Sequence, residues 1–224
     1  MNAPVIRSLV LKDWFLMRRP LAFYLVAAAI ALAMCGSGSL LAFEAGAILL
    51  ITVVISMAIH IVMQTIANER VEKTLAFVMS LPISAMDYTS AKLIANGGLF
   101  LVPWAIVTAG AVGLIAFVGD LPNGLIPWAV AVMLELAVSY FFLVGVSLVS
   151  ESMPWTIVGM VVGNLGFQAF LFYVSNVPVI ARQMKGEAIV WNGPIAAILL
   201  LEIAAIVALL GLTYWAQSRK RDFI

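Results

Sequence analysis

Six long apolar runs constrain this chain more than any other feature of its sequence. About twenty apolar residues cross a bilayer as a helix, which satisfies its own backbone hydrogen bonds. Because barrel strands would alternate polar and apolar residues, the runs predict an all-α membrane protein with a single transmembrane domain over residues 1–224. The predicted transmembrane helices are 21–35, 40–67, 93–118, 125–149, 155–174 and 193–215.

The composition excludes several other classes of protein. Of the 224 residues, 64% are hydrophobic and 10% are charged, whereas soluble domains average about 45–50% and about 25%. A single Cys and a single His exclude an internal disulfide and a Cys/His zinc cluster. The chain also lacks the Gly-x-x-x-x-Gly-Lys-Ser/Thr loop that binds ATP. We therefore assign no catalytic residue, metal ligand or cofactor to this chain, and we expect no nucleic-acid partner.

The basic residues predict the orientation of the six spans. If the N-terminus is cytoplasmic, ten of the twelve Lys and Arg residues lie on the cytoplasmic side, and only Arg182 and Lys185 lie outside. Cytoplasmic segments of membrane proteins carry such an excess. Six spans then place both termini in the cytoplasm.

The segment before the first span predicts a helix at the membrane interface. Over residues 5–19, the basic residues Arg7, Lys12 and Arg18 fall on one side of a helix and apolar residues fall on the other. Asp13 violates this pattern. We interpret the segment as an interfacial helix that leads into the first span, with a short solvated lead-in as the alternative.

The cytoplasmic loop 68–92 is the most polar internal stretch of the chain. It begins with mixed charge, becomes amphipathic and breaks at Leu81-Pro82. Ser84 can cap a following helix, and Asp87 at the third helical position favours its N-terminal dipole. The pattern predicts a short helix, a proline turn and a second helix that continues into the third span. Such a loop either transmits force to a soluble partner or serves as a structural elbow.

At these residues the chain resembles the permease family of type-2 ABC exporters. The family has an acidic stretch, a Thr-Leu pair, a Ser-Pro-Ile-Ser-like turn and a Gly-Lys pair. The matching residues here are Glu69, Glu72, Thr74, Leu75, Leu81, Pro82, Ile83, Ser84 and Lys92. Two positions depart from the family pattern, since Lys73 and Ala91 each stand where the family has Gly.

The resemblance implies a membrane-spanning subunit of an ATP-driven exporter that is not itself an enzyme. It implies that loop 68–92 is a coupling helix docked on a separate ABC ATP-binding subunit, which would bind ATP and Mg²⁺. Glu69, Arg70, Glu72 and Lys73 could form ion pairs with that subunit. The resemblance also implies a second permease copy, identical or closely homologous, and a bacterial cytoplasmic (inner) membrane. The external loop 175–192 would correspond to the short re-entrant helices that precede the last span in the family.

Polar side chains inside the spans are candidates for a transport pathway. Glu135 and Glu202 lie at similar depth from the outer side, and Asn164 and Gln168 approach that depth from the inner side. A carboxylate in hydrocarbon costs several kcal/mol and should face a cavity or a partner. Either these residues line a pathway at a dimer interface, or each Glu is protonated and bonds a neighbouring helix.

Other classes of membrane protein fit less well. A secondary carrier usually has more spans or an internal repeat, and no repeat is evident. A haem-exporter-type subunit of cytochrome c maturation has a similar size and layout. An intramembrane protease is disfavoured because Ser37 and Ser39 lie in an external turn, whereas His60 lies toward the opposite face. The sequence does not select the transported substrate.

Overall fold

The computed structural model describes residues 3–71, 84–118 and 121–220, and this part of the chain is helical without strands. Six of its helices are long and apolar enough to cross a membrane, which confirms the predicted class and number of spans. The long helices are α1 (Ala3–Cys35), α2 (Leu40–Val62), α4 (Ala85–Phe117), α5 (Ile126–Ser150), α6 (Met153–Asn176) and α8 (Gly193–Ser218). The short ones are α3 (Asn68–Val71) and α7 (Pro178–Gln183).

Local sequence explains where several helices begin. The Ser84 hydroxyl accepts from the Asp87 amide while the Asp87 carboxylate accepts from the Ser84 amide, a reciprocal capping box. This arrangement confirms the predicted cap and starts α4 at Ala85, so residues 85–92 of the loop are helical. The Asn192 side chain likewise accepts from the Ile195 amide at the start of α8.

The N-terminal segment is helical but does not form a separate element. Residues 5–19 and 21–35 belong to the single helix α1, which continues through Pro20. The proline removes a backbone donor without ending this helix. The location of residues 5–19 at the membrane interface stays a prediction.

Helix α5 lies at the centre of the bundle. It packs against α2, α4, α6 and α8, while α1 packs against α2 and α4 on one side. Trp104, which follows the proline inside α4, donates from its indole Nε1 to the Met133 carbonyl of α5 at 2.7 Å. Helices α6 and α8 expose most of their surface, so the bundle has a well-packed half and a more open half.

Candidate functional site

A π-helical turn ends the second span. The chain forms this turn over Met63–Ala67, between α2 and α3, and such turns often occur at functional positions. In it, the Thr65 hydroxyl donates to the Asn96 Oδ1 of α4 at 3.0 Å. Glu69 follows two residues after the turn and reaches the region where α1 and α4 meet.

A buried cluster of charges joins α1, α3 and α4. The Lys92 Nζ lies 2.8 Å from the Asp13 Oδ2 and 2.8 Å from the Glu69 Oε1. Lys92 is 0% exposed and Asp13 is 1% exposed. The Tyr88 hydroxyl donates to the Glu69 Oε2 at 2.9 Å, and the half-exposed Lys12 also pairs with Glu69. We call these five residues the Lys92 cluster.

The cluster keeps Glu69 ionised. Burial alone would raise the pKa of its carboxyl, but the Lys92 and Lys12 ammonium groups outweigh burial and hold the pKa below its usual 4.5. A buried charge is tolerated when it is both paired and hydrogen-bonded, and Glu69 has both kinds of partner. The cluster therefore connects α1, α3 and α4 through paired charges.

Glu69, which the sequence predicts to contact a partner subunit, makes contacts within its own chain. Both of its carboxylate oxygens contact side chains of this chain, and the residue is buried. A direct ion pair between Glu69 and a partner subunit would compete with Lys92, and that role stays a prediction. Within this chain, Glu69 connects α3 to α4 through Tyr88 and Lys92.

The other predicted coupling residues are only partly described. Ser84 is exposed at the start of α4. The Arg70 backbone lies in α3, but its side chain is not described. The remaining predicted residues lie outside the described part of the chain, namely Glu72, Lys73, Thr74, Leu75, Leu81, Pro82 and Ile83.

Asp13 is a member of the cluster that sequence reasoning missed. It lies 79 residues before Lys92, so no local motif links the two. The available signal was its break in the amphipathic pattern of residues 5–19. A buried carboxylate is tolerated when it is paired and hydrogen-bonded, and Lys92 provides that pairing for Asp13.

A second polar layer lies beside the Lys92 cluster. The Asn96 Nδ2 donates to the Lys92 carbonyl at 3.0 Å. On α5, the Tyr140 hydroxyl is 2.9 Å from the Asn96 carbonyl and 3.1 Å from the Asn96 Oδ1. The Tyr140 ring stacks on Phe100 with a centroid distance of 4.0 Å. Buried polar contacts thus extend from α3 through α4 to the central helix α5.

Glu135 and Glu202 line one pocket in the open half of the bundle. The pocket has a volume of about 440 Å³ and lies between α5, α6 and α8. Each glutamate lies nine residues after the first residue of its helix, Ile126 or Gly193, or roughly 14 Å along the axis at 1.5 Å per residue. The predicted equal depth therefore corresponds to a shared pocket.

The other two pathway candidates lie elsewhere. Asn164 borders a separate space of about 40 Å³ between α2, α5 and α6, which Tyr140 also lines. Gln168 is exposed on α6. Neither residue lines the pocket of Glu135 and Glu202, so the structure does not bring the four predicted pathway residues together.

The six long apolar helices define a multi-pass membrane protein with buried polar contacts at one end and a carboxylate-lined pocket. A family model described as "ABC-2 family transporter protein" matches residues 8–148. The chain therefore belongs to the ABC-2 transporter family. Neither the curated proteins nor the solved structures gave a significant match. The matched segment contains every member of the Lys92 cluster, whereas Glu202 lies outside it.

Proposed function

We propose that this chain is the membrane permease of an ATP-driven exporter, coupled through residues 68–92 to a separate ATP-binding subunit. Two permease copies, identical or homologous, would form the translocation pathway in a bacterial inner membrane. The partner would bind ATP and Mg²⁺. The family match supports the transport role.

The position of the Lys92 cluster carries the proposal of coupling. Glu69 lies just before the loop segment 72–83, and Tyr88 and Lys92 lie just after it. All three belong to the same buried cluster. Because both ends of segment 72–83 are held by the Lys92 cluster, a partner that displaces this segment would move α1 and α4 together.

The coupling role is tested in membranes that contain the permease and its ATP-binding subunit. We expect Glu72→Ala and Pro82→Gly to lower transport-coupled ATPase activity while leaving expression intact. The matched control is Glu187→Ala, which removes an exposed acid from the loop before α8. Normal coupling in both loop variants would contradict the assignment, as would an equal loss in the control.

The proposed orientation needs its own test. Starting from a Cys35→Ala background, single cysteines are placed at the exposed positions Lys185 and Arg219. An impermeant maleimide should label Lys185→Cys in intact spheroplasts, and it should label Arg219→Cys only after the membrane is permeabilised. The reverse pattern would place both termini outside.

A further inference from the structure

The pocket between α5, α6 and α8 contains a buried acid without a partner. Glu202 is 5% exposed, and neither of its carboxylate oxygens has a hydrogen-bond partner among the described residues. Glu135, which is partly buried, lines the same pocket. An unpaired buried carboxylate costs several kcal/mol. Such an acid either takes up a proton or gains a cationic partner, and the pocket is open enough to admit such a partner.

The walls of the pocket indicate what kind of cation would fit. They are mostly apolar, with Phe170, Val174, Ile198 and Leu201 among them, and Tyr173 adds a second aromatic ring. Aromatic faces attract organic ammonium groups. Mg²⁺ and Ca²⁺ instead require six or more oxygen ligands, and no cluster of three metal-binding side chains occurs in the described ranges. An apolar wall around two acids suits a cation with an apolar body.

We propose that this pocket binds a hydrophobic organic cation, with Glu202 as the main counter-charge and Glu135 as the second. Its volume of about 440 Å³ falls within the range of about 300–1,000 Å³ typical of small-molecule sites. Among the described residues, no Lys, Arg or His lines it, so this lining has no positive charge that would repel a cation. This proposal rests on the proposed transport function, because it names the substrate class of that transporter.

The test measures binding to the full-length permease in nanodiscs, without ATP or the ATP-binding subunit. The probe is radiolabelled tetraphenylphosphonium, and tetraphenylborate is the control of similar shape and opposite charge. We expect saturable binding of the cation and none of the anion. Equal binding of both ions would overturn the proposal, because it would reveal an apolar site that is indifferent to charge. An absence of saturable cation binding would also overturn it.

Three variants separate the pocket from the rest of the protein. Glu202→Gln should weaken tetraphenylphosphonium binding by about tenfold or more, the loss expected when an ion pair is removed from a buried site. Glu135→Gln should weaken it less, since Glu135 is less buried. The matched control Glu44→Gln removes an exposed acid at the start of α2 and should leave binding unchanged. Full binding by Glu202→Gln would refute the assignment.

A measurement on the unmodified protein covers the case in which the variants fold poorly. Dicyclohexylcarbodiimide modifies carboxyl groups in apolar surroundings, and mass spectrometry locates the adduct. Tetraphenylphosphonium should reduce labelling of Glu202, and labelling that does not change would overturn the proposal. These readouts require no ATP turnover. A failed coupling assay with intact cation binding would therefore count against the proposed exporter and not against this site.

Discussion

Removing Lys92 is the sharpest test of the buried cluster. Lys92→Met keeps the length and apolar stem of the side chain but deletes its charge. Asp13 and Glu69 are 1% and 6% exposed, and the Lys12 ammonium, which pairs with both of them, is half-exposed. Breaking a buried ion pair by removing one partner costs about 3–5 kcal/mol, because the other charge is left uncompensated. We expect the free energy of unfolding to fall by about this amount.

Lys12→Met is the matched control, because Lys12 pairs with the same Glu69 oxygen from a half-exposed position. Exposed pairs contribute about 0–1 kcal/mol, so this variant should change little. The assay is reversible unfolding by sodium dodecyl sulfate in mixed micelles, followed by circular dichroism. Asp13→Asn combined with Lys92→Met should cost less than the sum of the two single changes. Equal stability of Lys92→Met and Lys12→Met would refute the reasoning.

Three further predictions use the same unfolding assay. Because the pKa of Glu69 is held below its usual 4.5, its ion pairs stabilise the fold above that pH, and this stabilisation is lost as the pH falls through the lowered pKa. Glu69→Gln should therefore remove this part of the fall in the free energy of unfolding at low pH. Gly124→Ala should cost about 1–3 kcal/mol, because a methyl group would clash with the Gln183 carbonyl and with the Gly186 carbonyl, which accepts from the Gly124 amide. Gly113→Ala, which meets open space, should be tolerated. Ser84→Ala should lower the free energy of unfolding by about 1 kcal/mol, because α4 loses its N-terminal cap. An unchanged midpoint of unfolding by sodium dodecyl sulfate would contradict that role.

The features that could be predicted from the sequence depend on local physics. Hydropathy determines which runs of residues enter a membrane, so the six spans follow from the sequence alone. The cap formed by Ser84 and Asp87 involves residues three apart, and it was predictable for the same reason. The Lys92 cluster was not, because its pairs span 23 and 79 residues. Such contacts can be predicted only once the packing of α1 against α4 is known.

The four pathway candidates show that the position of a residue along its helix does not by itself predict which pocket it lines. Depth correctly places Glu135 and Glu202 at one level, and the packing of α5 against α8 then brings them into one pocket. Depth does not give the direction of a side chain around its helix. Asn164 and Gln168 are four residues apart and share one face of α6. That face is exposed and does not border the carboxylate pocket.

The central helix connects the two polar regions. Tyr140 of α5 contacts Asn96 of α4, and Asn96 contacts the Lys92 carbonyl. Separating α4 from α5 at this level would leave buried polar groups without hydrogen-bond partners, at a cost of about 1–3 kcal/mol each. These helices should therefore move together when the loop 72–83 is displaced. Glu135 lies on the same helix, about 7.5 Å along the axis from Tyr140, whereas Glu202 lies on the less buried α8. Helix α8 also packs against α5, so α5 is the element that joins the Lys92 cluster to the pocket of Glu135 and Glu202.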